Sequence, residues 1–187
     1  RSMTEAALRQ GIDKFIHISS VHAFQQRPTK LPLTEERGLV NSPKAAPYDR
    51  TKSAGQQEVL KAVDKGLDAT ILHPTGVLGP YDWKPSRMGQ VILDICHGKM
   101  PISINSGFNW VDVRDVCSTC ISAVDKGRMG QNYLVPGEWS SMKEISTHCG
   151  RKPWFTAPFW TAYLALPFAS LKSLISRKRP SFSSGSL

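Results

Sequence analysis

The chain has 187 residues, of which 40% are hydrophobic and 21% are charged, values typical of a soluble globular protein with one domain or slightly more. We expect no signal peptide in Arg1–Gly11 and no membrane span, since no apolar run reaches the roughly 18 residues that cross a bilayer. The formal net charge of +9 comes from scattered Lys and Arg residues with one dense cluster at Arg177–Arg179, and no basic stripe is interleaved with aromatic residues, so we expect no nucleic-acid partner.

Helix and strand alternate through the first 80 residues, with a polar, proline-containing loop between them. A strand, a crossover helix and a second strand in this order predict a parallel sheet with helices on its faces. The predicted elements are a helix over Thr4–Gln10, a strand over Lys14–Ser19, a loop over Gln25–Pro47, a helix over Tyr48–Lys65 and a strand over Asp68–His73.

After Gly79-Pro80 the pattern changes, and beyond Gly150 the chain becomes aromatic and rich in proline. The apolar segment Phe159–Ile175 fits either an amphipathic anchor in a membrane interface or a pair of helices over a substrate pocket, and we favour the helix pair. The predicted elements are helices over Met88–His97, Val113–Lys126 and Met142–Cys149, and strands over Phe108–Val113 and Gln131–Val135.

Four cysteines raise the question of a disulfide framework or a metal site. Cys117 and Cys120 have the CxxC spacing, but no second pair completes a zinc site, so we expect no metal. Buried free thiols are the favoured interpretation of all four, including Cys96 and Cys149, and they fit a cytoplasmic location.

The strongest local motif is Tyr48-Asp49-Arg50-Thr51-Lys52. Tyr48 and Lys52 are four residues apart and project from one face of a helix. An ammonium group close to a phenol favours the phenolate, which suits a Tyr that exchanges a proton with an alcohol or a carbonyl near neutral pH. By itself the spacing is common, and an exposed aromatic beside a solvated Lys is the bland alternative.

Two strand ends give this motif a context. Ser19 and Ser20 end the first predicted strand, and ligands bind at the carboxyl ends of the strands in a parallel sheet. Ser20 is therefore a candidate donor to the substrate oxygen that Tyr48 protonates, although turn or N-cap chemistry also explains the two serines. His22 follows at the rim as a candidate substrate contact. The second strand ends in His73-Pro74-Thr75-Gly76-Val77, where Gly allows close approach of the backbone to a ligand.

Taken together, four segments resemble landmarks of the extended short-chain dehydrogenases/reductases, within the NAD-dependent epimerase/dehydratase superfamily, and most closely its dihydroflavonol reductase and 3β-hydroxysteroid dehydrogenase-like branch. The segments are GIDKFIHISS (11–20), PYDRTKSAGQQEVL (47–60), ATILHPTGVLGP (69–80) and WVDVRDV (110–116). The resemblance implies an α/β fold with a Rossmann-like parallel sheet and helices on both faces. Residues 1–80 would be the C-terminal half of that domain, and 81–187 a substrate-binding remainder with a strand and helix over about 108–126 returning to the core.

The resemblance also implies roles for individual residues. Ser20 would polarise the substrate oxygen, and Tyr48 would be the acid and base and would also contact the cofactor. Lys52 would tune Tyr48 and hold the nicotinamide ribose of NAD or NADP. The backbone of Pro74, Thr75, Gly76 and Val77 would lie against the nicotinamide. Asp112 and Asp115 look like a catalytic pair, but we expect a structural capping role for them, and we expect His17 to be a packed histidine.

The implied reaction is NAD(P)-dependent interconversion of a ketone and a secondary alcohol on a flavonoid- or steroid-like small molecule. The resemblance also implies a homodimer that pairs through the YxxxK helix. Nucleotide-sugar epimerases and dehydratases share the Ser–Tyr–Lys set and stay open as an alternative. The family usually has Arg in place of His73, and its Gly-rich TGxxGxxG loop is missing from this sequence. We therefore expect a fragment of a longer parent, which leaves an inactive or NAD(P)-sensing protein as a second alternative.

Overall fold

The computed structural model describes residues 2–158, 160 and 161, and the chain divides into two units. Of the described residues, the first unit comprises 2–77 and 111–137, and the second comprises 78–110 and those from 138 onward. The helices are α1 (Ser2–Gln10), α2 (Pro47–Val63), α3 (Arg87–Cys96), α4 (Val113–Lys126) and α5 (Met142–His148), and the strands are β1 (Phe15–Ile18), β2 (Ala69–Pro74), β3 (Gly76–Leu78), β4 (Ile102–Ile104), β5 (Gly107–Asp112), β6 (Asn132–Val135), β7 (Glu138–Ser141) and β8 (Phe155–Ala157).

The predicted helices and strands all form, with ends within two residues of their expected positions. The short strands β3, β4, β7 and β8 were not predicted from the sequence. Three or four residues are too few for the two-residue alternation of a strand to stand out from the surrounding loops.

In the first unit, β1, β2 and β6 form a parallel sheet with β2 in the centre. Phe15 pairs with Ala69 and Ile71 pairs with Asn132, so the three strands end at the same edge. The predicted α/β fold with a parallel sheet is confirmed. Every residue of β2 is buried, as expected of a central strand that is covered on both faces.

Successive β2 side chains point to opposite faces of the sheet, and each face packs against a helix. Ile71 packs with Val59 of α2 in one apolar cluster, whereas Leu72 packs with Val116 of α4 in another. The α2 helix starts with Pro47 in its first turn, where a missing N–H costs no hydrogen bond. The sheet and α2 together position the residues of the candidate site.

The second unit has its own apolar cluster, built around Val91, Ile95, Trp110 and Met142. Parallel pairing joins β4 to β8, and antiparallel pairing joins β5 to β7. A capping box begins α5: the Ser141 hydroxyl accepts from the Glu144 amide while the Glu144 carboxylate accepts from the Ser141 amide.

The expectation of four buried free thiols was wrong. Cys96 at the end of α3 and Cys149 just after α5 form a disulfide, and Cys117 is an exposed free thiol. Residues 53 positions apart in sequence give no local signal of such a pairing, which depends on how α3 and α5 pack. The cytoplasmic location stays a prediction, and it no longer rests on a full set of free thiols.

Among the described residues, no helix is both long and apolar enough to span a bilayer. The segment Phe159–Ile175, for which we weighed a membrane-interface anchor against a helix pair, lies outside the described residues apart from 160 and 161.

Candidate active site

Ser20 is the second residue after β1, at the carboxyl edge of the parallel sheet. The Ser19 amide donates to the Leu72 carbonyl at 2.8 Å, which carries the strand ladder one residue past β1. Ser20 then caps the short 3-10 turn Val21–Ala23, because its Oγ accepts from the His22 amide at 3.3 Å. The side chain is buried, with 7% of its surface exposed. Both interpretations of this serine therefore apply: it caps a turn, and it stands at the edge where ligands bind.

Tyr48 and Lys52 occupy the first two turns of α2, one turn apart as the spacing predicts. The Lys52 Nζ lies 5.9 Å from the centroid of the Tyr48 ring. The same ammonium donates to the Ser19 carbonyl at 3.3 Å, so Lys52 ties the start of α2 to the end of β1. The Tyr48 ring is 51% exposed, which leaves it accessible to a ligand above the sheet edge.

His22 stands between Ser20 and Tyr48. Its backbone amide contacts the Ser20 hydroxyl, and its ring meets the Tyr48 ring edge-on with centroids 5.7 Å apart. The His22 Nδ1 lies 3.1 Å from an Asp49 carboxylate oxygen, and the Asp49 side chain is largely buried. We did not single out Asp49 from the sequence, although it is adjacent to Tyr48 in the YxxxK motif.

Residues 74–77 lie at the same sheet edge. Thr75 is held by β6, since its amide and its hydroxyl donate to the Val135 carbonyl at 3.3 and 3.5 Å. Val77 is partly exposed. The ends of β1 and β2 and the start of α2 thus lie together, and with them Ser20, His22, Tyr48, Lys52 and residues 74–77.

A buried polar network lies beneath this edge, between the sheet and α2. The Ser19 hydroxyl donates to Gln56 Oε1 at 3.1 Å, and Gln56 Nε2 donates to Asn132 Oδ1 at 2.8 Å. His73 completes the network, with Nε2 3.0 Å from Asn132 Oδ1 and Nδ1 3.0 Å from the Ser20 carbonyl. In the sequence, His73 stands out only as a departure from a family pattern, and Gln56 and Asn132 carry no local signal that would have identified them.

His17 is the packed histidine that we expected, and it is partly buried on β1. Its Nε2 is buried without a hydrogen-bond partner among the described residues. Burial lowers the pKa of His17 to about 4, and the nearby Lys52 and His73 act in the same direction.

Stability is expected to depend on pH through His17. In the unfolded chain the ring is protonated near its ordinary pKa of 6.5, and in the folded chain only near 4. The free energy of unfolding therefore has its full value above pH 6.5, and the contribution from His17 is lost as the pH falls toward 4. With a discount for the partly exposed ring, we expect a loss on the order of 1 kcal/mol. Hydrogen exchange of the β2 peptide 69–74, corrected for intrinsic rates, measures it. His17→Leu should reduce the pH dependence, and an unchanged dependence would contradict the assignment.

Asp112 plays the structural role that we expected. It caps α4 by accepting from the Arg114 amide at 2.8 Å and from the Arg114 Nε at 2.9 Å. These hydrogen bonds lower the pKa of the Asp112 carboxyl to about 2. Asp115 follows in the first turn of α4, where negative charge favours the helix N-terminus.

A nicotinamide cofactor fits the donor set at this edge. Within the described residues the Lys52 ammonium hydrogen-bonds to one acceptor, the Ser19 carbonyl, which leaves two of its three N–H donors for ribose hydroxyls. No TGxxGxxG loop occurs in the sequence to receive a pyrophosphate. The residues present therefore fit the nicotinamide end of a dinucleotide, and no Gly-rich loop in this chain serves the other end.

Comparisons with known proteins agree with this geometry. A model of the NAD dependent epimerase/dehydratase family matches residues 1–135. Sterol demethylase protein B of Methylococcus capsulatus is 34% identical over 146 residues, which cover 78% of this chain and 44% of that protein. A putative dihydroflavonol 4-reductase of Synechocystis is 30% identical over 171 residues, covering 89% of this chain and 50% of that protein. The chain thus spans about half the length of these curated relatives.

The fold is also found in solved structures. The crystal structure of a nucleoside-diphosphate-sugar epimerase from Pseudomonas aeruginosa superposes with a TM-score of 0.79, covering 97% of this chain and 64% of that one. The two sequences are 23% identical, so this likeness concerns the fold alone.

Proposed function

This chain belongs to the NAD-dependent epimerase/dehydratase family, and from that premise we propose that it carries the catalytic residues of an NAD(P)-dependent oxidoreductase. The proposed reaction interconverts a ketone and a secondary alcohol on an apolar small molecule. The observation that carries the proposal is the convergence of Ser20, Tyr48 and Lys52, where β1 ends and α2 begins.

Each of the three residues has a role that its position supports. Tyr48 is half-exposed and gives a proton to the substrate oxygen during reduction, or takes one during oxidation. Ser20, held at the strand end by its cap on the 3-10 turn, donates a hydrogen bond to the same oxygen. Lys52 places positive charge 5.9 Å from the Tyr48 ring centroid, where it would stabilise the negative charge that develops on the Tyr48 oxygen during proton transfer.

The proposed cofactor is NAD or NADP. When bound, its nicotinamide supplies or accepts the hydride. Lys52 would hold the ribose through its two remaining donors, and the backbone from Pro74 to Val77 would border the ring. The assignment of the Pro74–Val77 backbone to the nicotinamide comes from the family resemblance. The position of these residues beside Ser20 at the sheet edge supports it.

An apolar substrate is favoured by the character of the second unit. Its loops expose aromatic rings, among them Tyr81, Trp83 at 86% and Trp154 at 84%, which suit planar or apolar ligands. The names of two similar proteins, sterol demethylase protein B and the putative dihydroflavonol 4-reductase, refer to a sterol and a dihydroflavonol. A nucleotide-sugar epimerase or dehydratase is the alternative reaction, and an inactive or NAD(P)-sensing chain is the second alternative.

Cofactor binding tests the proposal first. We expect NADPH or NADH to bind this chain, and a titration monitored by nicotinamide fluorescence measures the binding. Lys52→Met should weaken this binding about tenfold or more, because a charge-assisted donor to the ribose is lost. Lys61→Met is the matched control: Lys61 lies on the same helix, and its side chain is exposed and paired with Glu58. Equal binding by both variants would contradict the role of Lys52.

Turnover separates the substrate classes. Incubation with NAD(P)H and a steroid or flavonoid ketone should oxidise the cofactor, whereas a nucleotide sugar should not. Turnover of a nucleotide sugar would favour the alternative reaction. Cofactor binding without turnover of either class would favour a sensing protein, and absence of binding would favour an inactive chain.

A further inference from the structure

Two large polar side chains are completely buried beneath the candidate site, between α2 and the sheet. Gln56 of α2 and His73 of β2 are each 0% exposed. Burying such groups is costly unless their polar atoms are hydrogen-bonded. The network through Asn132 meets this requirement, and its two ends are consecutive residues, Ser19 and Ser20.

The network and Lys52 together hold the peptide that carries Ser20. The Ser19 hydroxyl is bonded to Gln56, the Ser19 carbonyl to Lys52, and the Ser20 carbonyl to His73 at 3.0 Å. The ring of His73 also stacks at a tilt against the buried ring of Phe24, with centroids 4.4 Å apart, which restricts its rotation. The Ser20 carbonyl thus meets a donor that packing holds in place.

We propose that His73 is a positioning residue, which sets the direction of the Ser20 side chain by donating from Nδ1 to the Ser20 carbonyl, with Gln56 and Asn132 holding its ring and the neighbouring Ser19. The proposal rests on the proposed function of Ser20. Because a carbonyl oxygen only accepts, the contact requires a proton on Nδ1. The Nε2 of a neutral ring then accepts, so the Asn132 amide turns its N–H toward Nε2 and the Gln56 amide turns to match it. A rotation of the Ser20 peptide would move the hydroxyl away from the substrate oxygen.

A positioning role predicts different effects for two substitutions of His73, whereas a role in core packing alone does not. When Asn replaces His, its side-chain amide group lies near the position of the original Nδ1. When Gln replaces His, its amide group reaches the position of the original Nε2. His73→Asn should therefore keep a donor to the Ser20 carbonyl, and His73→Gln should lose it while keeping a partner for Asn132. Both variants lose the ring and its contact with Phe24, so a purely structural role predicts similar effects for the two.

The first test needs no variant and no activity. In the chain labelled with 15N-histidine and with 13C at the Ser20 carbonyl, we expect the His73 Nδ1 to carry a slowly exchanging proton and to correlate with that carbonyl in NMR spectra. An unprotonated Nδ1 would overturn the proposal. In His73→Gln the Ser20 carbonyl resonance should move toward the position of a carbonyl that lacks this hydrogen bond, and in His73→Asn it should stay close to the original.

The second test is kinetic. At saturating cofactor, His73→Gln should lower kcat about tenfold to a hundredfold with an almost unchanged KM for the cofactor, because Lys52 remains on the Ser19 carbonyl. His73→Asn should stay within about threefold of the original. Equal losses in the two variants, in step with their thermal stability, would overturn the proposal. An unsubstituted chain without turnover would count against the proposed function, while the NMR result would still decide the role of His73.

Discussion

Tyr48→Phe is expected to lower turnover by about a hundredfold to ten-thousandfold, the range that loss of a positioned proton donor costs. The substitution removes one oxygen and keeps the ring, so the edge contact with His22 and the proximity of Lys52 to the ring face persist. The ring is half-exposed, so the fold loses no buried hydrogen bond. The rate of NAD(P)H oxidation with a ketone substrate measures the effect.

The matched control for this substitution is Tyr133→Phe. Tyr133 lies in β6 of the same unit, and its hydroxyl accepts from the Arg128 amide, away from the Ser20 edge. We expect this control to keep its activity within about twofold, and Tyr48→Phe to bind cofactor within about tenfold of the unsubstituted chain, because at most one hydroxyl contact to the cofactor is lost. Turnover of Tyr48→Phe within about threefold of the original would contradict the assignment of Tyr48 as acid and base.

Removal of the Cys96–Cys149 disulfide is expected to destabilise the second unit by about 4 kcal/mol, the chain-entropy value for a cross-link between residues 53 positions apart. Urea unfolding followed by tryptophan fluorescence measures this change without interference from the first unit. The reason is that the five tryptophans of the chain all belong to the second unit: Trp83, Trp110, Trp139, Trp154 and Trp160.

The double substitution Cys96→Ser/Cys149→Ser should therefore shift the fluorescence transition to lower urea, as should a reducing agent. Cys117→Ser/Cys120→Ser is the matched control, because these thiols are free and belong to α4 of the first unit. A thiol count on the denatured, unreduced chain should give two groups, rising to four after reduction. Four groups without reduction would show that the disulfide does not form.

The sequence determined the helices and the longer strands, and the candidate residues of the site, because both are local properties. The four-residue spacing of Tyr48 and Lys52 places them on one helix face in any fold that contains α2. The strand-helix-strand order predicts a parallel sheet, and a parallel sheet places the residues that follow its strands at one edge. Ser20 and the residues from Pro74 to Val77 lie at that edge for this reason.

The tertiary structure alone decided which buried polar groups meet. Gln56, His73 and Asn132 lie on α2, β2 and β6, and each taken alone looks like an ordinary helix or strand residue. Their hydrogen bonds span 37 to 76 positions of the chain. The same holds for the disulfide, since Cys96 and Cys149 become neighbours only when α3 packs with α5.

The sequence by itself thus fixed the α/β fold class and the family, and through them the residues proposed for catalysis, because these depend on periodicity and on motifs a few residues long. It did not fix the network that holds Ser20, the partner of each cysteine or the lowered pKa of His17. Hydrogen bonds, disulfides and desolvation all depend on distances between segments far apart in sequence, and only the packing of the folded chain sets those distances.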